Sequence, residues 1–227
     1  MESGTYICML SYFARIYNWG NISTMYRCIL GIGDIVIVLD DTKKKILQVL
    51  SEDGRKTLTE IATKLNITHV AVKKQLMKLM ESGIVKIQPL INPSALNLLL
   101  VATLIEAENL EAIQRLKEKF KNCPRMILLA SLIGGYNMLA LLIAEDMNVV
   151  ESMNNVCSIR TSKGIRRSEV FMVSELIIPK YVSLRLIPSS ERKSEITPCG
   201  LNCCICSRFN EYKCLGCPAT KCYRGPL

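Results

Sequence analysis

Seven of the chain's eleven cysteines fall within 24 positions near its C-terminal end, in the stretch PCGLNCCICSRFNEYKCLGCPATKCYRG. Closely spaced cysteines can form disulfides, hold a metal or carry redox reactions. Two pairs have C-x2-C spacing, Cys203 with Cys206 and Cys214 with Cys217. This spacing lets two thiolates chelate one ion from a tight turn, so the stretch predicts a metal site.

This cysteine-rich segment, residues 198–227, is too short to fold by apolar burial alone and needs a metal or a covalent link. The predicted metal-binding set is Cys199, Cys203, Cys206, Cys214, Cys217 and Cys222, with Cys204 as an extra thiol. Zinc held by Cys203, Cys206, Cys214 and Cys217 is the first interpretation. Because the thiols outnumber the four ligands of one zinc ion, an iron–sulfur cluster is the second, and disulfides are the third.

The sequence leaves two roles for the segment. It could be a structural clip that also adds a basic surface, or it could be a sensor of metal or redox state. A sensor is physically reasonable because thiolates are oxidisable and because loss of a metal would unfold a segment this small. The remaining cysteines, Cys8, Cys28, Cys123 and Cys157, are isolated in the sequence. We expect them to pack in the interior and not to form sites.

Composition limits the function of the whole chain. With 227 residues, 49% of them apolar, the chain can bury real cores, and its formal charge of +9 only hints at an anionic partner. It has a single histidine, no nucleophile–base pairing and no glycine-rich phosphate loop. We therefore expect no enzyme; the rival class is a small redox protein or sensor whose iron–sulfur cluster carries the main activity.

One uncharged run, residues 126–144, is long enough to cross the ~30 Å of a bilayer core as a helix. Gly134, Gly135 and Asn137 interrupt it in the middle and favour a β-hairpin instead. The N-terminal apolar run contains Arg15 and Arg27 and does not read as a secretory signal. The sequence predicts a cytoplasmic protein without a membrane partner.

Residues 39–88 predict three capped amphipathic helices, the pattern of a helix-turn-helix domain. The predicted N-caps are Asp41, then Thr57 or Thr59, then Thr68. The predicted inward stripes are Ile46, Leu47 and Leu50 on the first helix, Ile61, Ala62 and Leu65 on the second, and Val72, Leu76 and Leu79 on the third. Gly83 is expected to end the third helix.

The third helix has the features of a DNA-reading helix. A helix fits the major groove, its N-terminal residues reach base edges, and lysines on its flank neutralise phosphates. The predicted contacts with double-stranded DNA are Arg55, Thr68, His69, Val70, Lys73, Lys74 and Lys78. The plain alternatives are that the lysines only keep the domain soluble, or that a sensing domain has lost DNA binding.

The rest of the chain predicts an α+β fold. Residues 1–38 form an extension of uncertain structure, residues 89–97 and 188–197 are linkers, and residues 98–187 read as β-α-β-β-α-β, a ferredoxin-like plait. Its helices are predicted at 109–122 and 147–159. The strands are apolar on both faces while two helices can cover only one, so the sequence predicts a homodimer formed through the other face.

Residues 39–187 resemble the leucine-responsive/asparagine regulator (Lrp/AsnC, or feast/famine) family of transcription factors. The resemblance rests on Leu39 and Asp40, the Glu-Asp-Gly-Arg run at 52–55, the Gly83–Ile84 exit and the turn IGGYN. It implies a DNA-binding head, a ligand-sensing plait and dimers that assemble into octamers. It also implies an amino-acid or other small-molecule effector near Gly134, Gly135, Tyr136 and Asn137.

Two residues depart from that family's pattern. Lys43 and Asn137 both stand where the family commonly has aspartate, and Asn137 lacks the carboxylate that could meet an ammonium group. Gly134 and Gly135 have a purely conformational reading as well. Residues 199–218 are similar to a small cysteine-rich domain family that begins with Cys-Gly-Leu, and this resemblance favours a metal.

Overall fold

The computed structural model describes residues 39–157 and 159–227, which form two compact units that meet in the sequence at Ile87 and Gln88. The predicted N-terminal extension, with Cys8 and Cys28, lies outside the described residues. Among the described residues, no helix is long and apolar enough to cross a membrane.

The first unit contains three helices: α1 (Asp41–Glu52), α2 (Leu58–Leu65) and α3 (His69–Glu81). Thr57 caps α2 in a reciprocal capping box with Glu60, and Thr68 caps α3. The prediction that Asp41 caps α1 is wrong. Asp40 is the cap, because its backbone is extended and its carboxylate accepts the Lys43 N–H at 2.9 Å, whereas Asp41 is already helical.

The three helices bury one small core against each other. Its buried members are Ile46, Val49, Ile61, Ala62 and Val72, and Leu76 and Leu79 of α3 are buried too. The predicted apolar stripes of α2 and α3 are confirmed except at Leu65, which is half-buried. On α1, the second buried residue is Val49, whereas the predicted Leu47 is half-exposed. The inward face of α3 therefore fixes which of its side chains point to solvent.

The second unit has the predicted β-α-β-β-α-β order. Its elements are β1 (Leu99–Ala107), α4 (Leu110–Phe120), β2 (Met126–Ser131), β3 (Met138–Ala144), α5 (Met147–Asn155) and β4 (Ile165–Val173). The four strands form one antiparallel sheet in the order β2-β3-β1-β4, the ferredoxin-like arrangement. The 19-residue apolar run is the β2–β3 hairpin, as predicted.

Helices α4 and α5 cover one face of the sheet. From the strands, Val101, Ile105 and Met138 are buried there, and from the helices Leu116 and Val149 meet them. Asn109 and Asp146 cap the two helices by accepting the Ala112 and Val149 N–H groups.

The opposite face carries an apolar row set by the strand register, which we call the open face. Leu128 pairs with Leu141, Leu141 with Ala102, and Ala102 with Phe171, so these four side chains run across all four strands. Leu128 is 44% exposed and Phe171 is 48% exposed. The sheet thus presents an unburied apolar surface on the side away from its helices.

Residues 198–227 belong to the same compact unit as the plait. They contain one short helix, α6 (Ser207–Asn210), and otherwise consist mostly of turns. Cys199, Cys214 and Leu215 pack against the core of the plait. The segment that the sequence places after a linker at 188–197 is therefore docked on the plait and does not stand apart from it.

Candidate nucleic-acid interface and thiol cavity

The exposed side of α3 brings the predicted DNA contacts together. Thr68 begins the helix, with its hydroxyl accepting the Ala71 N–H at 3.2 Å. His69 and Val70 follow in the first turn, and Val70 is 70% exposed. The predicted phosphate contacts of this helix, Lys73, Lys74 and Lys78, are all exposed. One helical face therefore offers an apolar and a polar group at its start and positive charge along its flank.

Ion pairing separates the lysines of α3 from those of the supporting helices. On α1 and α2, Lys43 pairs with Asp40, Lys45 with Asp41 at 2.7 Å and Lys64 with Glu52 at 3.2 Å. Lys44 is the one lysine of these two helices without a carboxylate partner among the described residues. Within the described residues, no lysine of α3 has a carboxylate partner. The only acid on α3 is Glu81, at its C-terminal end, so three lysines against one glutamate leave the helix with a charge of +2.

Arg55 lies in the turn before α2 and not on α3. Its side chain is 95% exposed, and its guanidinium is 3.8 Å from the Asp53 carboxylate. An exposed pair at this distance is worth at most about 1 kcal/mol, so the arginine is available to an anion.

The turn between β2 and β3 holds the predicted effector residues, and Asn137 has a structural task there. Its amide nitrogen donates to the Ala107 carbonyl at 2.7 Å, and its amide oxygen accepts the Ala107 N–H at 2.8 Å. The side chain thus acts as one more rung of the β3–β1 ladder. An aspartate could accept the N–H but could not donate to the carbonyl, which gives a physical reason for asparagine.

Tyr136 faces two charged residues of β4. Arg167 donates to the Tyr136 hydroxyl at 2.7 Å and places its guanidinium 4.5 Å from the ring centroid, while the Glu169 carboxylate lies 3.4 Å from Arg167. Gly134 has a φ of +155° and Gly135 is exposed beside it. The turn and the end of β4 together present an arginine, a carboxylate and an aromatic ring to solvent.

A cavity of about 40 Å³ lies where the cysteine-rich segment meets the plait. Six cysteines line it, and we call it the thiol cavity: Cys123, Cys157, Cys199, Cys203, Cys214 and Cys217. Four are predicted metal ligands. Cys123 and Cys157, which the sequence predicts as packing residues, both line this cavity, because the segments that follow α4 and α5 bring them together there. Cys123 also packs against the core of the plait. No motif or spacing in the sequence indicates that these cysteines lie around one cavity.

Two other predicted metal ligands are placed differently. Cys222 forms a disulfide with Cys204 and so offers no thiolate, and Cys206 does not line the cavity. Within residues 39–157 and 159–227, no three histidine, cysteine, aspartate or glutamate side chains are positioned to hold a single metal ion. His69 stands exposed at the start of α3, where the sequence placed it as a DNA contact.

Burial and hydrogen bonding give the thiols different acidities. Burial raises the pKa of Cys203 to about 11 and that of Cys217 to about 12. The Cys157 thiol donates a hydrogen bond to Cys199 and lowers the pKa of Cys199 below its ordinary value. Two of the sulfurs are therefore thiols at neutral pH unless a positive partner stabilises their charge.

A buried ion pair fastens the cysteine-rich segment to the plait. Arg125 and Glu145 pair with only 5% and 3% of their side chains exposed, and Tyr223 donates to the same carboxylate. Arg125 also donates to the Gly216 carbonyl at 2.7 Å. Gly216 has a φ of +83°, and a Cβ there would lie 3.3 Å from the Phe209 ring, so glycine is required.

A second contact is made by Arg208 of α6. Its Nε donates to the Ser152 hydroxyl at 2.6 Å, and its Nη2 donates to the Glu151 carboxylate at 2.9 Å. Two lysines of the segment are also ion-paired, Lys213 with Glu211 and Lys221 with Glu195. The Arg208 contacts hold the segment on α5, and these two lysines do not form an unpaired basic patch.

Comparison with known proteins agrees with this architecture. Residues 39–86 match the family model described as winged helix-turn-helix DNA-binding. The HTH-type transcriptional regulator LrpA of Pyrococcus horikoshii is 35% identical over 112 residues, which are 48% of this chain and 78% of LrpA. About half of this chain therefore has no counterpart in that match.

Two solved structures have the same fold. Escherichia coli AsnC aligns with a TM-score of 0.54 and 16% identity, over 62% of this chain and 95% of AsnC. The transcriptional regulator NMB0573 of Neisseria meningitidis, solved as a complex with L-Met, aligns with a TM-score of 0.55 and 24% identity, over 62% of this chain and 92% of that one. With a three-helix head, a βαββαβ plait and these relatives, the chain belongs to the Lrp/AsnC family of helix-turn-helix transcriptional regulators.

Proposed function

We propose that this regulator reads double-stranded DNA with α3, using Thr68, His69 and Val70 toward base edges and Lys73, Lys74 and Lys78 toward phosphates. The observation that carries the proposal is the selective pairing of lysines. Three of the four lysines of α1 and α2 pair with carboxylates, all but Lys44, whereas within the described residues none of the three lysines of α3 does. Val70, exposed in the first turn, suits the methyl group of thymine. Arg55 adds a backbone contact beside the helix. This reading makes the chain a cytoplasmic regulator and not an enzyme.

The test is a gel-shift assay on genomic fragments selected for binding to the wild-type protein. Lys73→Ala with Lys74→Ala is expected to weaken binding by at least tenfold at moderate salt, because two phosphate contacts are removed. Lys45→Ala with Lys64→Ala is the matched control, since it removes the same charge from lysines that are already paired. Equal loss of affinity in the two variants would contradict the assignment of α3.

We further propose that the open face joins two copies of the chain. Leu128, Leu141, Ala102 and Phe171 form a continuous apolar row, and burying such a row against its symmetry mate removes it from water. Two heads in a symmetric dimer suit palindromic half-sites. Higher assembly from dimers, up to an octamer, is the family's pattern and is part of the same proposal.

Light scattering coupled to gel filtration tests this interface. Leu128→Lys with Phe171→Lys is expected to give a folded monomer, because charges on the open face would be buried in the dimer. Leu110→Lys is the control: this leucine of α4 is 78% exposed and lies on the other side of the sheet. A Leu128/Phe171 variant that keeps the wild-type mass would contradict the proposal.

The effector is proposed to be an amino acid or a similar zwitterion bound at the 134–137 turn. The regulator of similar fold solved with L-Met supports the ligand class. The Asn137 amide is used by Ala107, so the proposed contacts are the backbone of Gly134 and Gly135 together with Arg167 and Glu169. An arginine beside a carboxylate is complementary to a zwitterion.

Isothermal titration with the twenty amino acids tests this site. Arg167→Met is expected to weaken binding of any amino acid that the wild type binds. Arg166→Met is the control. Arg166 is about as exposed as its neighbour Arg167, but it pairs with Glu106 at 3.8 Å, whereas Arg167 contacts Tyr136 and Glu169. Retention of full affinity in the Arg167 variant would place the effector elsewhere.

A further inference from the structure

The thiol cavity is formed jointly by two parts of the chain that the sequence keeps far apart. Cys199, Cys203, Cys214 and Cys217 come from the cysteine-rich segment, while Cys123 follows α4 and Cys157 follows α5. Six sulfur-bearing side chains around one small cavity are far more than packing requires. Soft thiolate donors of this kind select zinc, copper(I) or iron–sulfur clusters.

Two sulfurs of the cysteine-rich segment have polar contacts. The Gly216 N–H donates to the Cys214 sulfur at 3.4 Å, and the Thr197 hydroxyl lies 3.1 Å from the Cys199 sulfur. Hydrogen bonds from N–H groups to sulfur stabilise thiolates and tune the metal centres that thiolates hold.

The arrangement of the cysteines around the cavity bears on whether it holds a single ion or a larger group. Tetrahedral zinc with Zn–S bonds of ~2.3 Å needs its sulfurs ~3.8 Å apart. Among the residues that the structure describes, no three such side chains have the placement needed for one ion. The sulfurs instead surround a cavity of about 40 Å³, several times the ~10–15 Å³ that one water molecule requires. A cluster carries its iron atoms at separate corners, so its thiolate ligands stand farther apart than those of one ion.

We propose that the thiol cavity holds an iron–sulfur cluster ligated by Cys199, Cys203, Cys214 and Cys217. Each of the four thiols loses its proton to the solvent when it binds iron. Sulfide supplies the bridging atoms, and added ferric iron supplies the metal, half of it reduced to the ferrous state by an added thiol that is itself oxidised to a disulfide. The plait wall with Cys123 and Cys157 closes the other side of the cavity. The cluster therefore couples the cysteine-rich segment to the effector domain of the regulator.

The experiment uses the full chain purified without oxygen and then treated with ferric iron and sulfide in the presence of a thiol reductant. Iron and acid-labile sulfide are expected in equal amounts, about four of each per chain for a cubane cluster, with a broad visible absorption band. A colourless protein that holds stoichiometric zinc and takes up no iron would overturn the proposal.

Variants test the ligand set separately from the presence of a cluster. Cys203→Ser and Cys217→Ser are expected to lose most of the iron and the visible band. Cys206→Ser is the matched control: it comes from the same C-x2-C pair as Cys203 but lies outside the cavity lining, and it is expected to keep the cluster. Loss of iron in the Cys206 variant, or retention in the Cys203 variant, would overturn the assignment.

A last variant tests whether the disulfide-bonded cysteines take part in binding the cluster. Cys204→Ser with Cys222→Ser removes the bonded pair and is expected to keep the cluster, since neither sulfur lines the cavity. If it loses the cluster while its far-ultraviolet circular dichroism stays that of the wild type, the ligands are not the four that we assign. DNA affinity is measured in parallel, so that failure of this proposal is distinct from failure of α3 as the reading helix.

Discussion

Replacing Arg125 by methionine is expected to lower the free energy of unfolding of the second unit by about 3–5 kcal/mol. The size follows from burial. Arg125 and Glu145 are 5% and 3% exposed, so removing the cation leaves a carboxylate without its charge partner in the interior. The Gly216 carbonyl loses its donor as well. Methionine keeps a similar length and apolar stem, so the loss reports charge and hydrogen bonding more than volume.

The assay is urea denaturation followed by circular dichroism, combined with limited proteolysis of residues 188–227. Arg115→Met is the matched control: its pair with Glu111 has 59% and 85% of the side chains exposed, and it is expected to cost less than about 1 kcal/mol. The docked segment of the Arg125 variant is expected to be cleaved first.

A double variant separates the attraction between the two charges from the cost of burying them. Arg125→Met with Glu145→Met removes both charges and is expected to destabilise less than the sum of the two single variants, because no unpaired charge is left inside. Additive losses, or an Arg125 variant no less stable than the Arg115 variant, would refute the reasoning that this ion pair fastens the segment to the plait.

Two further predictions concern the turn and the head. Asn137→Asp is expected to lower the free energy of unfolding in urea by about 1–3 kcal/mol, because the Ala107 carbonyl loses its donor. Asn148→Asp, in the exposed first turn of α5, is the control and is expected to be nearly neutral. Equal effects of the two substitutions would contradict the role of Asn137 in the β3–β1 ladder. The backbone N–H and the hydroxyl of Thr57 lower the pKa of Glu60 to about 2 from an ordinary 4.5. The folded-state pKa is the lower one, so this stabilisation is complete above pH 4.5 and is lost as the pH falls toward 2. Thermal unfolding of the wild type is expected to show this acid dependence and that of Glu60→Gln to show less; identical profiles would contradict it.

The architecture could be read from the sequence because its signals are local. Caps such as Thr68 and Asp146 precede periodic apolar residues, and the 126–144 run is interrupted by glycines where the hairpin turns. Each of these patterns acts within a few residues, so no knowledge of tertiary contacts is needed. The same is true of the inward stripe of α3, which decides which lysines face solvent.

The thiol cavity, and the contacts that hold the cysteine-rich segment on the plait, could not be predicted in this way. Arg125 and Gly216 are 91 residues apart, and Glu145 and Tyr223 are 78 apart. No spacing rule connects such positions, and Cys123 and Cys157 look isolated until α4 and α5 pack on the sheet. The role of Asn137 was hidden for a related reason, since its partner Ala107 lies 30 residues away on another strand.

The most direct test of the reading helix is the salt dependence of affinity for a selected duplex. For each head on the DNA, Lys73→Ala with Lys74→Ala is expected to reduce the slope of log affinity against log salt concentration by about 2. Lys45→Ala with Lys64→Ala, measured under the same conditions, is expected to keep the wild-type slope. Identical slopes for the wild type and the Lys73/Lys74 variant would contradict the account, because α3 would then make no phosphate contacts.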